Sequence, residues 1–175
     1  MFICVNFVYI FESLFKTPKM ITFTGDHPCK IDAKGRLLFP VGLKRQMGTE
    51  VQERFGVRKN IFNKCLDIYP WSEWELLLKK MKSRINPYNR QHNEFITEFF
   101  KGTADISLDS SGRMLIPKWL VDWLEIKNGE IMMVGQNGRI QLWDYAAYNS
   151  RGMSEEEFAS LAEKLLGNQT FTEED

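Results

Sequence analysis

The sequence predicts an α+β fold, rich in β-strand, built from two copies of one small module. Three observations predict it. The segment Asp32-Ala-Lys-Gly-Arg36-Leu-Leu-Phe-Pro40 returns as Asp109-Ser-Ser-Gly-Arg113-Met-Leu-Ile-Pro117 at a fixed offset of 77 residues, and self-similarity at a fixed period marks a repeated structural unit. Each copy leads into a short helical pattern and then a hairpin pattern. Each half then closes on a helical segment that opens with Ser-x-x-Glu, a sequence signature of helix starts.

Taken in order, residues 2–15 are apolar and aromatic, interrupted by Asn6 and Glu12. The run is too short to span a bilayer, and it lacks the basic start and small-residue cleavage site of a secretory signal. Lys16-Thr-Pro-Lys19 breaks the pattern before Met20, so residues 1–19 are expected to be an extension upstream of the working start. The alternative is an added helix or strand packed on the domain.

Within each repeat, Asp and Gly suit a tight turn, because Asp bonds its own backbone and Gly accepts positive φ. Asp32, Gly35, Asp109 and Gly112 are therefore expected to be turn residues. Pro40 and Pro117 start short helices, where the missing N–H costs nothing. Residues 54–59 and 64–69 flank a turn near Asn60. Residues 131–134 and 139–143 flank Asn137-Gly138, the strongest short hairpin signal.

Ser72 with Glu75 and Ser154 with Glu157 read as capping boxes. Asn86-Pro87 ends the first helix, and residues 91–101 read as another. Phe158, Leu161, Leu165 and Leu166 form an apolar stripe that Gly167 stops. The polar, acidic residues 168–175 are expected to fray. The divisions are thus 1–19, an extension; 24–71, the first module; 72–101, a helical connector; 102–145, the second module; and 146–175, a C-terminal helix and acidic tail. A half of about 50 residues is too small to bury a good core alone, so the halves should pack together and exchange strands.

Composition narrows the function. Hydrophobic residues are 43% and charged residues 26% of the chain, the balance of a folded core and not of a disordered chain. The net charge is zero, so any case for a polyanionic partner must come from local clustering. Residues 30–46 carry a net +4 from Lys30, Lys34, Arg36, Lys44 and Arg45 against Asp32, whereas residues 150–175 carry −5. Arg54, Arg58 and Lys59 form a second basic stretch, expected to decorate an exposed hairpin.

Arg36 and Arg113 each present five donors beside a stiff turn, suited to phosphate or a guanine edge. Each could equally fold back onto Asp32 or Asp109, and spacing alone leaves both open. Cys4, Cys29 and Cys65, with only His27 and His92, give neither a disulfide framework nor a zinc pattern. No metal or cofactor is expected, and a reducing compartment fits. No phosphate-binding glycine loop, paired-histidine motif or nucleophile elbow is present, so neither an enzyme nor a small-molecule substrate is expected.

The two Asp-x-x-Gly-Arg segments resemble the paired motif of the MraZ family, whose modules belong to the AbrB-like (SpoVT-AbrB) class. Met20-Ile-Thr-Phe-Thr-Gly25 resembles the start of that family. Leu66-Asp-Ile-Tyr-Pro70 with Trp74 resembles the end of its first module, and Val134 to Asp144 the end of its second. The likeness spans residues 20–150, with Gln46–Asn60 loosely matched and residues 1–19 without counterpart.

The resemblance implies a pseudo-two-fold, swapped-hairpin β-barrel flanked by helices, with subunits joined in a ring-shaped homo-oligomer. It implies a cytoplasmic, nucleoid-associated transcriptional repressor of the division and cell-wall gene cluster. Such a protein binds double-stranded DNA at direct repeats upstream of its own operon. The implied DNA-binding positions are Asp32 and Arg36, Asp109 and Arg113, with Lys34 beside the first pair; the local positive charge adds Lys30. Because Ser111 stands where the first copy has Lys34, the first module is expected to dominate. The alternatives are an AbrB-like antitoxin, against which two motifs per chain argue, or a ring that binds protein through the acidic C-terminal helix.

Overall fold

The computed structural model describes residues 21–48 and 53–167. Expectations about residues 1–19, Cys4, Met20 and the 168–175 tail lie outside the described residues. The elements run β1 (Asp26–Lys30), β2 (Arg36–Leu38), α1 (Val41–Met47), β3 (Arg54–Lys59), β4 (Leu66–Pro70), α2 (Trp71–Lys82), α3 (Arg90–Phe100), β5 (Thr103–Ser107), β6 (Arg113–Leu115), α4 (Lys118–Leu124), β7 (Glu130–Gln136), β8 (Arg139–Asp144), α5 (Tyr145–Asn149) and α6 (Glu155–Leu166). The mixture of helix with antiparallel strand is the α+β class expected.

Six strands form one sheet in the order β1-β7-β8-β4-β3-β5, and β2 pairs with β6 in a separate two-stranded ribbon. The two hairpins, β3–β4 and β7–β8, meet at the centre through β4 and β8. Each edge strand comes from the opposite half of the chain: β1 lies on β7, and β5 lies on β3. Single bridges, Ile31 to Leu37 and Leu108 to Met114, join the edge strands to the ribbon. The continuous pairing leaves β1 and β5 as separate edges of an open sheet.

The core fills the space between sheet, ribbon and helices. Leu37 and Met114 turn inward from the ribbon, and Phe39, Ile116, Phe55, Ile68, Met133 and Ile140 pack with them. In α1, Leu43 and Met47 are buried, as are Leu120 and Leu124 in α4. Both helices begin directly after their prolines, Pro40 and Pro117, at φ −57° and −53°. Asn137, at φ 54°, takes the left-handed conformation of the β7–β8 turn.

Two local expectations are corrected. The capping box at Ser72 and Glu75 does not form: Pro70 caps α2 two residues before Ser72, and Glu75 instead accepts the Trp71 indole N–H at 2.9 Å. The box at Ser154 and Glu157 is complete. The apolar stripe of α6 is exposed, with Phe158 at 66% and Leu165 at 60% of full accessibility.

The second correction concerns the basic stretch of Arg54, Arg58 and Lys59, which is not a free surface. Arg54 makes a bidentate pair with Asp105 on the neighbouring strand and stacks 3.3 Å from the Trp71 ring centroid. Arg58 is buried over the Phe99 ring at 3.9 Å, where loss of water pushes its pKa down. The Lys59 ammonium lies 4.9 Å from Trp123.

Among the described residues, no three His, Cys, Asp or Glu side chains gather as a metal site, and no helix is long and apolar enough to cross a membrane. Cys29 and Cys65 are free thiols. Burial pushes Cys65 up to about 12, which leaves it protonated and unreactive at neutral pH.

Candidate functional site

The two repeated segments fold into the same turn. In the first, the Gly35 N–H donates to the Asp32 carbonyl and the Asp32 N–H to the Arg36 carbonyl, both at 2.9 Å. One Asp32 carboxylate oxygen accepts the N–H groups of Lys34 at 2.8 Å and Arg36 at 3.0 Å. In the second, Gly112 and Asp109 donate to Asp109 and Arg113 carbonyls at 2.9 Å, and Asp109 accepts from Ser111 at 2.8 Å and Arg113 at 2.9 Å. Gly35 and Gly112 sit at φ +83° and +72°, the left-handed region where glycine meets no steric penalty. Each aspartate therefore ties down the backbone that carries its arginine.

The turns are also tied to each other. The Ile116 N–H donates to the Gly35 carbonyl at 2.8 Å, and the Phe39 N–H to the Gly112 carbonyl at 3.0 Å. Between these bonds β2 and β6 run antiparallel, with Arg36 opposite Leu115, Leu37 opposite Met114 and Leu38 opposite Arg113. Successive strand side chains point to opposite faces. Leu37 and Met114 therefore enter the core, while Arg36, Leu38, Arg113 and Leu115 share the solvent face. Leu37 and Met114, 77 positions apart in sequence, thus lie side by side on one ribbon.

The two arginines differ. Arg36 folds onto Asp32, its Nε and Nη2 each 2.7 Å from one carboxylate oxygen, yet its side chain stays 49% exposed. Arg113 is exposed and, among the described residues, its guanidinium has no side-chain partner. Lys34 is exposed at the first tip, and Lys30 ends β1 opposite Glu130. Lys44 is paired with Glu53, whereas Lys30, Lys34 and Arg45 have no salt bridge among the described residues. The exposed cations on the ribbon, its first tip and the adjoining end of β1 are thus Arg36, Arg113, Lys34 and Lys30, with Arg45 a further exposed cation on α1.

Leu38 and Leu115 were not singled out from the sequence. The signal was present: three apolar residues in a row on a strand must point one of them away from the core.

Both turn aspartates are held below the usual 3.8. The Arg36 N–H bond, followed by the Arg36 side chain, lowers Asp32. The Arg113 N–H bond is the main cause at Asp109. A depressed folded pKa contributes stability that is present above the unfolded value and lost as pH falls through the folded one. The turns should therefore hold through pH 3.8 and loosen only below it. Carboxyl-carbon NMR titration should place both midpoints under 3.8; midpoints at or above it would show that the amide bonds do not persist in solution.

These features define a class: an α+β protein in which two copies of one turn motif are brought into a single exposed, arginine-bearing ribbon. The sequence model of the family described as "MraZ protein, putative antitoxin-like" matches residues 22–94 and again 99–168. A protein of Christiangramia forsetii named transcriptional regulator MraZ is 37% identical over 153 residues, covering 87% of this chain and 97% of its own. Proteins of the same name from Flavobacterium psychrophilum and Bacteroides thetaiotaomicron are 36% and 33% identical over 150 residues, covering 85% and 86% of this chain and 94% and 96% of theirs. The chain belongs to the MraZ family.

Proposed function

We propose that this chain is a transcriptional regulator that binds specific DNA sequences through the β2–β6 ribbon. The observation that carries the reading is the meeting of Arg36 and Arg113 on one exposed ribbon face above turns fixed by Asp32 and Asp109. A two-stranded ribbon fits the major groove, and arginine pairs with the O6 and N7 of guanine. Relatives named as transcriptional regulators support the same reading.

In this reading Arg36 and Arg113 read bases, Lys34 and Lys30 hold phosphate, and Gly35, Gly112, Pro40 and Pro117 shape the support. The modules are 24–71 and 102–145, joined by the 72–101 connector, with 146–175 as a C-terminal appendage. The sheet and the ribbon bridged to its edges act as the walls of a swapped-hairpin barrel. The protein represses its own operon, within the division and cell-wall cluster, in the cytoplasm at the nucleoid. It needs no cofactor and performs no catalysis.

One ribbon supplies few cationic groups, and each neutralised phosphate adds only about −0.9 to the log–log salt slope. Tight binding therefore calls for several ribbons on one ring-shaped homo-oligomer facing direct repeats, where each later ribbon engages at high effective concentration.

Footprinting purified protein on the DNA upstream of its own gene tests the proposal. Regularly spaced protected repeats, with affinity falling steeply as salt rises, are the expected result. Absence of protection at low salt rejects it. An assembled protein without a footprint would favour the second reading, a protein-binding ring or antitoxin-like module, which the exposed apolar stripe of α6 and the family description support.

A further inference from the structure

We propose that Leu38 and Leu115 read thymine, by packing on its C5-methyl group in the major groove beside the bases engaged by Arg36 and Arg113. The inference rests on the DNA-binding reading above and adds a base specificity that the arginines do not supply.

The two leucines are 61% and 55% accessible. They are not spilled core residues, because the inward ribbon positions are filled by Leu37 and Met114, at 1% and 0%. They occupy equivalent positions of the two repeats, and the pairing sets each of them directly across from an arginine. Scattered exposed leucines need no explanation, but a matched pair between two arginines on a narrow ribbon leaves no way to dock the arginines without covering the leucines.

The dimensions fit. Directly opposed residues lie about 5 Å apart and alternate residues along a strand about 7 Å apart, whereas bases rise about 3.4 Å per step. An arginine on guanine therefore brings its neighbouring leucines to bases one or two steps away. A leucine offers no donor or acceptor, so it is blind to the hydrogen-bonding edges of the other bases. The thymine methyl is the one apolar feature of the major-groove floor. The ribbon thus presents a mixed code, arginine for guanine and leucine for thymine.

The test uses the full chain and the DNA segment upstream of its own gene, synthesised once with thymidine and once with deoxyuridine throughout. The exchange removes every thymine methyl and leaves the Watson–Crick pairing in place. Wild-type protein should bind the deoxyuridine fragment about fourfold more weakly for each thymine methyl that a leucine covers. The double variant Leu38→Ala, Leu115→Ala should bind both fragments with nearly equal affinity.

Comparing the thymidine-to-deoxyuridine ratio of the two proteins cancels any change in DNA stiffness, because both meet the same fragments. Both substitutions are at exposed positions, and matching circular dichroism and subunit assembly establish that the variant is folded. A wild-type ratio of one, or a ratio the double variant leaves unchanged, overturns the thymine proposal while the DNA-binding reading stands. Failure of wild-type protein to bind either fragment overturns both.

Discussion

Arg36→Ala is expected to weaken binding to the upstream DNA at least tenfold while leaving the fold and the subunit assembly unchanged. Removing a base-reading arginine costs roughly 1–3 kcal/mol per site, a factor of about 5 to 150, and an assembly that engages several repeats multiplies the effect. Two features make Arg36 the larger of the paired effects. Asp32 holds its guanidinium at 2.7 Å, so less side-chain freedom is given up on docking than for Arg113. The cations Lys30 and Lys34 also lie in its own repeat, where the second copy has Ser111 in place of Lys34.

Arg113→Ala should weaken binding less, and Lys34→Ala should reduce the salt slope while sparing sequence preference, as expected of a phosphate-binding group. A gel-shift titration with circular dichroism and light scattering on each variant checks all three. An unchanged affinity for Arg36→Ala would remove the ribbon from the interface. The Asp32–Arg36 pair does not argue against DNA engagement, since a half-exposed ion pair contributes little on its own.

The second large effect is on stability, and it separates two glycines that are equivalent in sequence. Gly35→Ala should destabilise the protein by about 3–4 kcal/mol and Gly112→Ala by about 1–2 kcal/mol. Both residues have positive φ, which accounts for the smaller figure. At Gly35 a methyl group would also press directly into the backbone carbonyl of Ile116. The neighbouring Ile116 N–H is bonded to Gly35 itself, so the ribbon cannot move aside without breaking that bond. At Gly112 no atom lies within 4 Å of the added methyl. Urea denaturation at one protein concentration, which keeps any assembly contribution equal, measures the difference. Equal destabilisation would mean that the close approach of the first turn to the second strand is absent in solution.

Much of this structure is legible in the sequence because it is local. The turns follow from Asp and Gly at fixed spacing, the short helices from Pro40 and Pro117, and the β7–β8 turn from Asn137-Gly138. An exchange of strands is expected from the small size of each half, but which strands pair is not legible, because β1 on β7 and β5 on β3 are choices between partners far apart in the chain.

For the same reason Arg54 and Arg58 read as surface charge. Nothing beside them announces that Asp105 arrives on the next strand, or that Trp71 and Phe99 cover their planes. At the site, Asp32, Gly35 and Arg36 are visible as a motif, as are Asp109, Gly112 and Arg113. Their convergence on one face, and the folding back of one arginine and not the other, depend on the antiparallel register and on side-chain torsions that a repeated motif leaves unspecified.

The ribbon is made of segments from both halves of the chain, which matters during biosynthesis. When the ribosome has delivered β2, the strand that must pair with it has not yet been translated. Arg36 gains its companion face only after synthesis passes Leu115, and β1 finds β7 later still. A product that ends before β6 therefore carries one complete motif and lacks the strand that β2 pairs with.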